Sequence, residues 1–240
     1  MKATQYILIL LILSTQEVNG QDTFVTKSHS QILREIEKGT DLEREVVSDS
    51  IQYEIRFWDC DVFIPGDIVI QFKKDFNNNW SYRPGFYKID STATFSFQDS
   101  IIKEIDWKQF EIKLDSFINA KVPNQNEIEL KLIKDGQTYT VNEYFFSSIM
   151  DGGSSTIEIF DNNTHKAIHY NNPKSYLEKL IKRDWSTKEH ENFIKFSDYI
   201  TESFDATKLR RIQLKEIYEN KDIKKSKRET KKNKKKKISS

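Results

Sequence analysis

The sequence predicts an α+β fold: an antiparallel sheet of about six to eight strands, helices packed on one face, and a helical C-terminal third. Three observations carry that expectation. Strand-like runs alternate apolar and polar residues in the pattern of a half-buried strand, as where Ile51, Tyr53, Ile55 and Phe57 are set against Gln52, Glu54 and Arg56. Turn signals separate successive runs by only a few residues, which favours antiparallel neighbours. Stripes of helical period lie between and after the runs.

Residues 28–38 place Ile32, Leu33 and Ile36 on one helical face, with Gly39 closing the turn. The first strand covers the Ile51–Phe57 alternation. Pro65-Gly66 turns the chain, and Ile68, Ile70 and Phe72 resume the pattern. Asn77-Asn78-Asn79 marks the next turn. Trp80 to Ile89 reads as a third strand broken at Pro84-Gly85, and Ala93, Phe95 and Phe97 as a fourth. Trp107, Phe110, Leu114, Phe117 and Ile118 then form a helical stripe, with Pro123 beyond its end. Ile128, Leu130 and Leu132 alternate again, Asp135-Gly136 makes a hairpin, and Tyr139 to Phe146 returns. A second hairpin pairs Thr156–Phe160 with Ala167–Tyr170. Asn172 is placed to cap a helix whose first residue is Pro173 and whose inner face is Tyr176, Leu177, Leu180 and Ile181. Ser186 with Glu189 matches a capping box ahead of the stripe Phe193, Phe196, Ile200 and Phe204. A weakly amphipathic helix runs from Ala206 to about Glu219. The two halves share an order of elements but no alignable residues.

Of 240 residues, 37% are apolar and 31% charged, too polar for a multi-span membrane protein. Aromatic residues make up 12%, too many for a wholly disordered chain. The net charge of +1 hides an asymmetry. Residues 221–240 hold 11 Lys/Arg and 2 acids, leaving 27 basic against 35 acidic residues elsewhere. The expected organisation is a signal peptide over 1–20, one α+β domain over 21–219, and a disordered basic tail over 220–240. The tail, through Lys231, Lys232, Lys234, Lys235, Lys236 and Lys237, suits diffuse attraction to anionic lipid, lipopolysaccharide or wall polymer. Lysine dominates over arginine and no aromatic residue interrupts the run, so specific nucleic-acid reading is not expected.

The first twenty residues have the three parts of an export signal. Lys2 precedes the apolar run Tyr6–Leu13, and Ser14–Asn19 is polar. Val18 and Gly20 sit at the −3 and −1 positions of a cut before Gln21. The apolar run is about half of the ~20 residues a membrane span needs. The expected location is therefore secreted or periplasmic.

Motifs for phosphate loops, nucleophile elbows and zinc proteases are missing from the sequence. Cys60 lies between Asp59 and Asp61, which disfavour its thiolate, so it reads as a packing residue. His165 and His169, on one strand, would stand ~13 Å apart, too far for a shared zinc. Asp59 and Asp61 share a strand face but lack the six or more oxygens calcium wants. Neither a metal site nor a cofactor is expected. The candidate ligand surface is Trp80, Tyr82 and Tyr87 together with Asp59 and Asp61, weighed against a reading of those aromatics as sheet core.

Tyr53-Glu-Ile-Arg-Phe-Trp58, the Trp107 helix, Asp151-Gly152 and Tyr170-Asn-Asn-Pro173 together resemble uncharacterised secreted α+β proteins of Gram-negative bacteria over about residues 50–182. The resemblance implies export and the α+β fold and brings no activity. The expected function is a non-enzymatic interaction or accessory module. The alternatives are a secreted hydrolase using carboxylates on the sheet and a carbohydrate-binding module using Trp80 and Tyr82.

Overall fold

The computed structural model describes Leu42, residues 51–61, 64, 66–88, 94–134, 136–142, 153–161, 164–183, 185 and 188–219. All of these belong to one compact unit, Ile36–Ser240. The export signal, the 28–38 helix, the Ser186 capping box, Asp151-Gly152 and the basic tail lie outside the described residues.

The strands are β1 (Ile51–Cys60), β2 (Ile68–Asp75), β3 (Trp80–Lys88), β4 (Thr94–Phe97), β5 (Glu129–Lys134), β6 (Gln137–Asn142), β7 (Ser154–Asp161) and β8 (Thr164–Asn171). The helices are α1 (Trp107–Asn119), α2 (Pro173–Ile181), α3 (Lys188–Ser203) and α4 over 206–219. Six strands form one antiparallel sheet in the order β4-β3-β2-β1-β7-β8, and β5-β6 is a separate hairpin. The architecture is α+β. No helix among the described residues is long and apolar enough to cross a membrane.

Period-two patterning places Ile55 and Phe57 of β1, Ile68, Ile70 and Phe72 of β2, and Tyr82 and Phe86 of β3 on the face the helices cover. Phe110, Leu114 and Phe117 of α1 meet them there, with Phe193, Phe196 and Ile200 of α3. Asp106 caps α1 by accepting a 2.9 Å bond from the Gln109 N–H. Phe204 stacks edge-on with Phe72 at 4.7 Å, closing the core where α3 ends.

The turn between β2 and β3 is organised by Asp75. Its Oδ1 accepts from the backbone N–H of Asn77 and of Asn79, each at 2.8 Å, and Asn78 takes the left-handed conformation at φ 65°. Those donors, Asn79 first, hold the Asp75 carboxyl below its usual range.

Three expectations are corrected. First, β3 is not broken at Pro84-Gly85; Pro84 pairs with Ile70 and Gly85 with Val69. The Pro84 carbonyl faces the β4 side, where it accepts from Gln98 just past the end of β4, so the missing N–H removes no bond to β2. Gly85 is needed because a Cβ there would lie 2.5 Å from the Phe95 ring. Second, Asn172 makes no side-chain cap. It sits in the left-handed region at φ 44°, and its N–H donates to the Gly153 carbonyl at 2.8 Å. Third, the alternate face of β1 is not a solvent face. Glu54, Arg56 and Trp58 are buried, as are Gln71 of β2 and Thr156, Glu158 and Phe160 of β7.

The free edge of β8 is sealed by side chains from the turn Gln125–Glu127 and its cap. The Asn124 Oδ1 accepts from the His169 N–H at 2.9 Å, and the Gln125 Oε1 from the Asn171 N–H at 2.7 Å. Two N–H groups that would template pairing with another chain are thereby covered.

Candidate functional site

One rung of the sheet carries Asp161 of β7, Tyr53 of β1, Lys74 of β2 and Trp80 of β3 side by side. All four share the helix-covered face. Above them α1 presents Glu111 and Asp115 one turn apart, and Leu114 with Ile118 likewise. Between rung and helix lies a cleft of about 460 Å³ lined by these residues and Gln52. That is the volume of a small-molecule site.

One wall is tightly wired. Glu111 Oε1 accepts from the Lys74 ammonium and from the Trp80 indole N–H, each at 2.8 Å. These two donors, Lys74 first, hold the Glu111 carboxyl below its usual range. The Lys74 ammonium also stands 5.5 Å from the centre of the Trp80 ring. On the other wall the phenol of Tyr53 is pushed up to about 12, by burial first and then by the charges of Asp161 and Asp115.

The residues singled out from sequence are not brought together. Asp59 pairs with Ile68 at one end of β2 and Trp80 with Lys74 at the other, six residues or ~20 Å along the strand. Tyr82 is only 6% exposed; its ring packs on Phe72, Trp107 and Phe204, and its hydroxyl accepts from the Lys103 N–H at 2.8 Å. Its ring therefore offers no surface to a ligand. Trp80 is half-buried, stacked on Trp107 at 6.1 Å and met edge-on by Phe110 and Tyr53, so it borders the cleft instead of forming an open platform. The Tyr87 side chain lies outside the described residues.

Asp59 has a structural task. Arg210 of α4 donates to the Asp59 carbonyl at 2.6 Å and to its carboxylate at 3.1 Å, and also reaches the Gly66 carbonyl. Gln213 donates to the same Gly66 oxygen at 3.0 Å, which ties α4 to the β1–β2 connection. The Cys60 thiol is pushed up to about 12, by burial first and then by Asp67. The direction matches the sequence expectation; the carboxylate responsible is Asp67 rather than its chain neighbours. Among the described residues, no group of three or more His, Cys, Asp or Glu side chains is placed to hold a metal ion.

His165 and His169 each bond within the sheet. His165 Nε2 lies 2.9 Å from Glu158 Oε1, and His169 Nδ1 lies 2.9 Å from the Thr156 hydroxyl. The first bond belongs to a buried charged network on the face away from the helices. Arg56 stands opposite Gln71 on one side and Glu158 on the other. Its Nε donates to Glu54 Oε1 at 2.5 Å, and Gln71 donates to the same oxygen at 2.8 Å. Trp58 Nε1 donates to Glu158 Oε2 at 2.8 Å. The Arg56 guanidinium lies 4.8 Å from the centre of the Phe160 ring, which in turn stacks on His165 at 4.5 Å. Each carboxylate is met by two donors or donor-capable groups, which is what permits its burial. A slip of one residue would carry these side chains to the apolar face, so the network fixes strand register.

The chain matches no protein-family model, no curated protein and no solved structure.

Proposed function

We propose that this chain is an exported, non-enzymatic binding module whose ligand site is the cleft between α1 and the Asp161–Tyr53–Lys74–Trp80 rung. One observation carries the reading: on the cleft wall Glu111 Oε1 accepts from both the Lys74 ammonium and the Trp80 indole N–H at 2.8 Å. Glu111 is held ionised by Lys74 and Trp80, and Tyr53 is held protonated to about 12. A general acid or base needs a pKa near working pH, and both groups are displaced away from it. Such a site suits recognition of a charge pattern better than proton transfer. This favours binding over a hydrolase built on sheet carboxylates. A sugar platform at Trp80 and Tyr82 is disfavoured by the packing of both rings.

Export rests on the Lys2, Tyr6–Leu13 and Val18/Gly20 pattern and on the resemblance to secreted Gram-negative proteins. The basic run 221–240 would hold the module to anionic surfaces.

A screen of small sugars, amines and carboxylates by amide NMR tests the proposal. At least one class should shift Gln52, Tyr53, Glu111, Asp115 and Asp161 saturably. Shifts confined to other surfaces would contradict it. In the same preparation, removal of 221–240 should abolish salt-sensitive sedimentation with anionic vesicles; unchanged sedimentation would remove the tail's role.

A further inference from the structure

We infer that the outer edge of β4 is a dimerisation strand: it pairs antiparallel with β4 of a second copy of this chain, about a two-fold axis at Ser96, and joins two six-stranded sheets into one.

The two edges of the sheet are treated differently. The β8 edge is sealed by Asn124 and Gln125. At the other end of the strand order, β4 has no strand beyond it. The phase of β4 is set by the Gln98 N–H, which donates to the Pro84 carbonyl at 2.8 Å, and by the pairing of Ser96 with Phe86. Ser96 therefore turns its N–H and C=O toward β3, while Phe95 and Phe97 turn theirs outward. Among the described residues no backbone group bonds to those outward groups. The strand's own rings do not shield them. The Phe95 ring lies over Gly85 of β3, and the Arg83 guanidinium of β3 stands 3.5 Å from the centre of the Phe97 ring. The two rings meet edge to face at 4.6 Å, so both lean back over the sheet. The usual devices that blunt an edge are missing as well: Thr94–Phe97 carries no charge and no proline, and its register with β3 runs without a bulge.

A second copy fits this edge. With Ser96 opposite its own equivalent, Phe95 falls opposite Phe97 of the second copy. These are the residues whose backbone groups face outward, so each such pair exchanges both N–H···O bonds. Aromatic residues oppose aromatic residues, and no charge meets a like charge. The chain's net charge of +1 puts little long-range repulsion between copies. The contact also closes on itself. Both β4 edges are occupied, the joined sheet ends on two sealed β8 strands, and growth stops at the dimer.

Sedimentation equilibrium of the full chain, from low micromolar to near-millimolar concentration, should show the mass climb from one chain to two and level there. A single-chain mass throughout overturns the inference, as does growth beyond two. Over the same range the Phe95 and Phe97 amides should gain protection from hydrogen exchange in step with the mass. A dimer whose Phe95 and Phe97 amides exchange as in the monomer is joined elsewhere, and also overturns it. Phe97→Pro removes an outward donor and leaves the Ser96 and Gln98 bonds to β3 intact, so it should raise the dissociation constant about tenfold or more, since symmetry counts each lost bond twice. Phe97→Leu keeps the N–H and should still dimerise. Undiminished dimerisation of a folded Phe97→Pro variant, checked by thermal melt, would contradict the inference; the exchange measurement on the unaltered chain decides it without any variant.

Discussion

Arg56→Ala is expected to destabilise the protein by about 3–5 kcal/mol, the range for removing one partner of a buried ion pair. Arg56 is 1% exposed and Glu54 3%, while Glu158 is fully buried. Removing the guanidinium leaves the Glu54 carboxylate in a low-dielectric interior with only the Gln71 amide of its two donors. The variant also loses the guanidinium's contact with the Phe160 ring. Equilibrium urea unfolding measures the effect. A loss under about 1 kcal/mol, the range of an exposed pair, would show that water reaches this face. Replacing Arg56, Glu54 and Gln71 together by apolar residues of similar volume should cost less than Arg56→Ala, because the Glu54 carboxylate is then not left behind without its guanidinium.

Phe110→Ala should cost a similar about 3–5 kcal/mol, for a different reason. Phe110 is fully buried where α1 meets the sheet. Its ring centre lies 4.9 Å from that of Phe72, 5.0 Å from Trp80, and 5.7 Å from both Trp107 and Phe204. Truncation opens a cavity walled by rigid rings that cannot close over it. Phe110→Leu should lose much less, under about 1.5 kcal/mol if the neighbours repack. The effect should reach the cleft, because Glu111 follows Phe110 on α1 and reaches Lys74 and Trp80 only while that helix is seated. A Phe110→Ala variant that melts like the parent would place α1 elsewhere.

Much of the apolar face was legible in the sequence. The period-two run Ile51–Phe57 and the stripe Phe110, Leu114, Phe117 mark the sheet and helix surfaces that meet, since burial follows those periods directly. The polar face was not. Gln52, Glu54 and Arg56 alternate with apolar residues and read as solvent-facing. Glu54 and Arg56 pair with each other on β1, but Gln71 and Phe160, which complete their burial, lie on other strands, and Trp58 and Glu158 are 100 residues apart. The cleft was hidden for the same reason. Tyr53, Lys74, Trp80 and Asp161 become neighbours only through strand register, which alternation alone does not set. Ile118 extends the α1 stripe in the sequence, but only the structure shows that it is 40% exposed and lines the cleft. Trp80 stood out as an aromatic residue, but not as the donor that holds Glu111 ionised.

A site-resolved pH titration of Glu111 and Tyr53 tests the cleft's fixed charge pattern most directly. The Glu111 carboxyl, held down by Lys74 and Trp80, stabilises the fold at neutral pH, and this contribution disappears as pH falls through its lowered pKa. The Tyr53 phenol, held protonated by burial and by Asp161 and Asp115, contributes below pH 10 and loses that contribution as pH rises toward about 12. Carbon-detected NMR of the Glu111 side-chain carboxyl and the Tyr53 ring carbon bearing the hydroxyl should show the first titrating below the ordinary carboxylate range and the second near 12, with neither changing across neutral pH. A Glu111 midpoint raised toward neutrality would contradict the fixed charge pattern and return the cleft to proton-transfer chemistry, and a Tyr53 midpoint at the ordinary value of about 10 would contradict the burial of its phenol beside Asp161 and Asp115.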